Sequence, residues 1–299
     1  MNDLQTAPIG ILCLDKPAGT TSFGCCAAAR RLLSTKKIGH AGTLDPNATG
    51  VLPLLVGRAA KALDFLPVHD KRYTATLRFG AVSDTLDVWG KVEPTGARRP
   101  TAAEVRAALP AFTGQIRQVP PMTSALRRDG VRLYELARQG IEIERESRPV
   151  TVYRLDLLAY DEAAGELTFD CACSKGTYIR TICDDLGRTL GCGAVMTALR
   201  RTEAAGFGLA DCLGLDEAAA LAAEGRLRER LIPMERVLSA YPAVTVTAAQ
   251  AVRFKNGGAL ALDRLRSTPD GMSRVLAPDG TLLGLGEPTE AGLTVRLLL

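Results

Sequence analysis

Gly39-His40-Ala41-Gly42-Thr43-Leu44-Asp45-Pro46-Asn47-Ala48-Thr49-Gly50-Val51-Leu52 contains the carboxylate around which the rest of this chain is read. Between Lys16 and Leu63 lie seven basic side chains, Lys16, Arg30, Arg31, Lys36, Lys37, Arg58 and Lys61, and a single acid, Asp45. Two readings are open for that acid. Asp-Pro starts turns readily and an Asp side chain bonds the backbone just beyond it, so Asp45 can be a local cap. Alternatively it is a nucleophilic or acid-base carboxylate, its pKa held low by the neighbouring cations. Those cations would then also bind the phosphates of a polyanion.

Working outward, Gly10 to Leu14 is a short apolar run ended by Asp15-Lys16-Pro17, a buried strand leading into a loop. Ser22 reads as the N-cap of a helix through Cys25, Cys26, Ala29, Leu32 and Leu33, with Arg30 and Arg31 on its exposed face. Ile38 to Gly57 holds four glycines and two prolines and reads as loop. Lys71 to Phe79 alternates, with Tyr73, Ala75, Leu77 and Phe79 on one side of a strand. Thr101 to Glu104 is a capping box opening a helix towards Phe112, and Leu133 to Gln139 is a helix stopped by Gly140. Val150 to Leu158 and Leu167 to Cys173 alternate as paired strands, before helical spacing from Tyr178 to Leu190. An alanine-rich helix follows Asp216-Glu217, and Ser239 to Pro242 reads as a linker. The tail carries a helix over Ala248 to Phe254 and strands near Val275, Leu282 and Leu293. No regular β-α-β alternation is present, so the expected class is α+β.

Composition excludes several classes. Lys plus Arg total 37 against 33 Asp plus Glu, a net charge of +4 that does not by itself indicate a nucleic-acid binder. With 46% hydrophobic and 23% charged residues the chain is not a disordered charged tail. No apolar run is long enough for a transmembrane helix, and the first residues lack a basic stretch followed by an apolar one, so a cytoplasmic protein is expected. Eight cysteines include no C-x-x-C pair and only two histidines accompany them, which argues against a metal site. Gly191-Cys192-Gly193 lacks a third glycine, and neither a P-loop nor G-x-S-x-G occurs.

Two further features point to a phosphate-rich partner. Arg117, Arg127, Arg128, Arg132 and Arg138 form a second basic patch against Asp129 and Glu135. Tyr73 and Tyr178 each sit near a cation, Arg72 and Arg180, in a chain only 5% aromatic. Either both tyrosines are core aromatics at strand edges, or they stack on an unpaired base.

The Gly39 to Leu52 loop resembles the catalytic motif of the TruB family of tRNA pseudouridine synthases. Leu14 to Pro17, Lys71 to Tyr73, Asp84 to Asp87, Pro120 to Ala125, Leu133 to Arg138 and Cys173 to Arg180 are similar to family blocks in the same order. The resemblance implies a mixed, mainly antiparallel sheet with flanking helices over residues 1–238, with an RNA-binding insertion at about 115–148, and a small C-terminal PUA-like β-rich domain over 241–299. It implies isomerisation of uridine-55 in the T-loop of tRNA, with the base flipped out, and no cofactor and no metal. Asp45 is the implied catalytic carboxylate, attacking either the ribose or the base. Tyr73 is implied to stack on the flipped uracil and move a proton, Tyr178 and Leu199 to line the pocket, and Arg180 to pair with Asp45. Lys16 is a structural or phosphate contact, His40 sits against the nucleotides left behind, and Asp87 falls in a family acidic motif. Trp89 stands where the family often has Asp, and Arg127 where Lys is common. The implied partner is the tRNA T-arm stem-loop, with a monomer acting without a protein partner. Two alternatives use the same surface: a non-catalytic RNA-binding or tRNA-folding protein, and a guide-dependent synthase acting on ribosomal RNA.

Overall fold

In the chain order of the computed structural model, which describes residues 7–128 and 130–299, the first unit comprises β1 (Gly10–Lys16), α1 (Ser22–Leu32), β2 (Ile38–His40) and β3 (Thr49–Val56). Asp129, counted in the second basic patch, lies outside the described residues. β1 and β3 are almost wholly buried because they are covered on both faces. Leu12, Leu14, Leu52, Leu54 and Val56 pack with α1, while Ile11, Cys13, Val51 and Leu55 enter a second cluster on the opposite side. A strand covered on two faces reads as a continuous apolar run rather than an alternation. This corrects the loop expected over Ile38 to Gly57: its glycines mask the Val51 to Val56 run, which pairs antiparallel with β1 from Lys16↔Gly50 to Gly10↔Val56.

The chain continues through β4 (Lys71–Phe79), a β5–β6 hairpin (Ala81–Ser83, Val92–Pro94), α2 (Ala102–Ala108) and β7 (Gly114–Gln118). A small β8–β9 hairpin (Arg127–Arg128, Val131–Arg132) and α3 (Leu133–Arg138) follow. The longest strand, β10 (Arg148–Asp161), pairs with β11 (Glu166–Cys173), and α4 (Ile179–Thr189) leads to β12 (Ala194–Ala204) and its short partner β13 (Phe207–Gly208). The main sheet runs β1-β3-β12-β4-β11-β10-β7, with β2 on β3 and β13 on β12. Only the β3–β12 junction is parallel; the remaining pairs are antiparallel. β4 presents Tyr73, Ala75, Leu77 and Phe79 to the main core, as its alternation predicts. The strand β12, between β3 and β4, is absent from the sequence reading.

Beyond α5 (Leu215–Ala223) and α6 (Met234–Val237), a second sheet of order β14-β15-β16-β17 is built from Ala243–Thr245, Ser273–Leu276, Leu282–Thr289 and Gly292–Leu298, with α7 (Ala248–Lys255) against it. The segment expected as a linker is pinned. Tyr241 Oη donates to the Phe65 carbonyl at 3.0 Å, and Leu282, Leu285 and Leu297 enter the same cluster as Ile11 and Val51. Among the described residues no helix is long and apolar enough to cross a membrane.

Candidate active site

The loop between β2 and β3 has no secondary structure over most of its length, so side chains from elsewhere must satisfy its carbonyls. Three do so. Lys16, at the end of β1 and fully buried, donates through Nζ to the carbonyls of Ala48 (2.6 Å), Pro46 (2.8 Å) and Pro17 (3.0 Å). Three donors meet three acceptors, which is the structural one of the two roles expected for this lysine. Arg201 on β12, also fully buried, donates Nε to Val51 O (2.7 Å), Nη2 to Gly42 O (3.1 Å) and Nη1 to Thr43 O (3.3 Å). Ser22 Oγ both accepts from Leu44 N (2.9 Å) and donates to Leu44 O (3.1 Å). Ser22 is therefore not the helix cap: Thr21 is, accepting from Gly24 N, which leaves the Ser22 hydroxyl free to clamp the loop.

The loop can reach these anchors only because of Gly50. Its φ is +104°, and a Cβ there would lie 2.1 Å from the Arg201 carbonyl. This close approach falls within the short parallel pairing of β3 with β12, Arg200↔Thr49 and Arg201↔Gly50.

Held this way, Asp45 meets Arg180 from the first turn of α4. Arg180 Nε lies 2.9 Å from Asp45 Oδ2, and Nη2 donates to Oδ1 at 3.2 Å, a two-point pair. Arg180 is itself 5% exposed and caged: Nη1 donates to Thr85 O (3.0 Å) and Thr123 Oγ1, and Nη2 to Thr123 O (3.0 Å). A second carboxylate, Asp87, places Oδ2 3.9 Å from Arg180 Nε, so one guanidinium serves two acids. Burial pushes the Asp45 carboxyl above its usual range; Arg180 offsets part of that and Asp87 adds to it. This corrects the depressed pKa expected from local charge counting, which sees the cations but not the lost water.

The other expected residues fall into two groups. His40, at the end of β2, lines the same groove as Asp45 and Arg180 and stands edge-on to Phe23, centroids 5.7 Å apart. Burial and the Arg201 charge lower its pKa, favouring the neutral ring. Tyr73 and Leu199 pack with Leu44 in the main core beneath the loop, 6% and 8% exposed, and do not line the open groove. Burial raises the Tyr73 phenol to about 12, with the Arg201 guanidinium beside it pulling the other way. Tyr178 caps α4 through its backbone, its N–H donating to Gln118 Oε1 (3.0 Å) and its carbonyl accepting from Gln118 Nε2 (3.2 Å). Arg201, Gln118 and Thr123 have no counterpart in the sequence reading; the Arg-Arg pair directly after Leu199 was the one available signal for the first.

Asp45 opens on a groove of about 1620 Å³. None of the seven cations between Lys16 and Leu63 lines it. Its arginines are Arg180 and, from the β7-to-β10 segment and α4, Arg117, Arg127, Arg132, Arg138, Arg145 and Arg188. Six carboxylates line it as well, and Arg145 and Arg188 pair with two of them, Glu142 and Asp184, so the surplus cations are those of the Arg117 to Arg138 stretch. Tyr134 sits among them, with Arg138 and Arg132 over its ring at 5.3 and 5.8 Å. A partly buried, paired carboxylate facing a groove rimmed by guanidinium and aromatic groups can attack an electrophilic carbon of an anionic polymer held above it.

Comparison with known proteins places the chain in a family. Residues 30–179 match the model of the TruB family pseudouridylate synthase N-terminal domain. Residues 180–239 match the tRNA pseudouridylate synthase B C-terminal domain, and 242–297 the C-terminal region of pseudouridine synthase II TruB. The chain is 46% identical over 284 residues to tRNA pseudouridine synthase B of Dechloromonas aromatica, covering 95% of this chain and 93% of that one. It is 45% identical over 294 residues to the Burkholderia mallei protein of the same name, covering 97% and 96%. Two solved structures share the fold at low identity. The archaeal box H/ACA sRNP Nop10-Cbf5 complex matches with a TM-score of 0.71 and 22% identity, covering 98% of this chain and 86% of that one. A Cbf5-Nop10-Gar1 complex matches with a TM-score of 0.71 and 23% identity, covering 100% and 90%. On the matched domains and the near-complete coverage of its relatives, this chain belongs to the TruB family of pseudouridylate synthases.

Proposed function

We propose that the protein isomerises uridine to pseudouridine in transfer RNA, at position 55 of the T-loop, with Asp45 as the catalytic carboxylate. The observation that carries this reading is the two-point Asp45–Arg180 pair at the floor of a cationic groove, on a loop anchored from three other elements. The reaction breaks the bond between ribose C1′ and uracil N1 and joins C1′ to C5; C5 gives up its hydrogen as a proton and N1 takes one up, so the net change is an isomerisation. Asp45 would add to C1′ as the uracil departs, or to C6 of the base, freeing the uracil to rotate, and is expelled again once C1′ and C5 are joined. Arg180 orients the carboxylate and keeps it ionised; Asp87 holds Arg180 in turn. The stacked uridine reaches Asp45 by flipping out of its loop, at a cost of a few kcal/mol. Tyr73 and Leu199, buried beneath Leu44, become the apolar floor for the uracil only when the loop lifts Leu44 away from them on binding. With its phenol at about 12, Tyr73 is ionised to about one part in 10⁵ at pH 7, which suits stacking better than proton abstraction.

On this reading residues 1–238 form the catalytic unit, 115–148 the insertion that grips the stem-loop, and 241–299 a PUA-like module that reads RNA shape. The enzyme is cytoplasmic, where its substrate is, and acts as a monomer without a protein partner. The test uses a T-arm stem-loop tritiated at uracil C5. Wild-type protein alone should release tritium, and Asp45→Asn should bind the RNA with a similar Kd yet release none. Full turnover by Asp45→Asn would overturn the assignment of Asp45. Binding without modification by wild type would favour an RNA-folding role.

A further inference from the structure

Trp89 is the only tryptophan in the chain, and it is 45% exposed on the wall of the groove that holds Asp45. Its backbone is among the most constrained at the site. Trp89 N donates to Asp87 Oδ1 at 3.0 Å, and the same oxygen accepts from Thr85 Oγ1 at 2.6 Å. Val88 N donates to Met196 O and Met196 N to Leu86 O, each at 3.0 Å, stitching the turn to β12. Lys91 N donates to Asp84 Oδ1 at 2.8 Å. Leu86 adopts φ +64°, and a Cβ on Gly90 would lie 2.1 Å from Asp84 Oδ1. A left-handed leucine and a glycine with no room for a methyl group mark a turn held in one shape by its surroundings.

The product of these constraints is a large apolar ring with nearly half its surface presented to water and, among the described residues, no aromatic or cationic side chain stacked on it. The groove it faces carries both signs of charge: Asp84 and Asp87 belong to its own turn, Arg188 is paired with Asp184, and Arg117, Arg127 and Arg138 line the rest of the wall. An exposed apolar ring on a groove that also carries guanidinium groups fits a ligand that is aromatic and anionic together, which an unpaired nucleotide is. We infer that Trp89 is a fixed stacking platform for an unpaired nucleobase of the RNA loop, a base other than the uridine that reacts at Asp45. The inference rests on the proposed activity on RNA and extends it to a second base-binding position. Asp87 ties the two positions together: one of its oxygens holds the Trp89 backbone while the other lies 3.9 Å from the Arg180 that orients Asp45. A base seated on Trp89 therefore fixes the register in which the neighbouring uridine is delivered.

The sole tryptophan makes the test direct. Intrinsic fluorescence of the full-length Asp45→Asn protein is titrated with a T-arm stem-loop, and with stem-loops each lacking one unpaired base. The intact RNA should quench Trp89 emission, and removal of one particular base should abolish the quenching. Trp89→Ala should weaken binding about 5- to 150-fold, the range for loss of one base stack. Trp89→Phe should recover most of that loss. With the one abasic RNA that fails to quench, Trp89→Ala should cause no further weakening. In the Asp45-intact background Trp89→Ala should raise KM more than it lowers kcat. The inference is overturned if the labelled RNA binds by anisotropy while Trp89 emission is unchanged and Trp89→Ala binds like wild type. That result leaves pseudouridine formation by wild type standing. If wild-type protein neither binds nor modifies the stem-loop, the reading of the site falls and this inference with it.

Discussion

Replacing Arg201 with Met tests whether a buried guanidinium holds the catalytic loop in place. The substitution removes three hydrogen bonds, to Val51, Gly42 and Thr43 carbonyls. Val51 is fully buried, so its carbonyl is left without water and loses about 1–3 kcal/mol. Gly42 and Thr43 are partly exposed, and water can replace the lost donor there at smaller cost. The methionine is also spared the desolvation of a buried cation, which offsets part of that loss. The net expectation is a destabilisation of about 1–2 kcal/mol, which a fold stabilised by about 5–15 kcal/mol survives. Activity should suffer more than stability. Gly42 and Thr43 lie three and two residues from Asp45, and a displacement of about 1 Å at a reacting group can cost roughly 100-fold in rate. The assay pairs urea denaturation with single-turnover release of the uracil C5 hydrogen. Arg201→Met should unfold at lower urea, react about 100-fold more slowly and bind RNA with little change. Arg201→Lys, which keeps one donor group, should fall between. A variant with the wild-type single-turnover rate would refute the idea that this guanidinium positions Asp45, whatever its stability.

Lys16→Met should destabilise the fold by about 1–2 kcal/mol for the same reason, orphaning the buried Ala48 carbonyl while water reaches those of Pro17 and Pro46. The slope of RNA affinity against salt should stay as in wild type; a slope reduced by about one would restore the phosphate-contact role. Because burial raises the Asp45 pKa, the reactive carboxylate is lost as pH falls through a value above that of an exposed aspartate. The acidic limb of kcat/KM should therefore lie above pH 4 or so, and Arg180→Gln, which removes the largest lowering influence, should move it higher still. A limb unmoved by Arg180→Gln would assign it to another group. In the groove, Arg138→Ala should lower the salt slope by about one, whereas Lys37→Ala, on a side chain outside the groove, should leave it unchanged.

Much of the fold was legible because its signals are local. The alternation in β4, β10 and β11, the Thr101–Glu104 capping box and the Gly140 stop each involve residues a few positions apart, and each appears where it was expected. β3 was missed because a strand buried on both faces does not alternate, and the glycines flanking it look like loop. Ser22 was misassigned because two hydroxyls, Thr21 and Ser22, compete for one cap. Only the position of Leu44 shows which of them is otherwise engaged.

At the site, the sequence by itself singled out one carboxylate and left open whether it caps a turn or carries chemistry. Asp45 is the lone acid in a cationic, glycine-rich stretch, and charge isolation can be counted without coordinates. Tertiary structure alone decided what that surplus charge is for. Lys16 and Arg201 turn inward to carbonyls 30 and 32, and 150 to 159, positions away along the chain. The groove draws its cations from a different segment, and Arg180 meets Asp45 across 135 residues. The direction of the Asp45 pKa likewise depends on how much water the fold removes, not on how many lysines lie nearby in sequence. Burial and long-range register are properties of the packed sheet: β12 must lie between β3 and β4 before Arg201 can reach the loop at all.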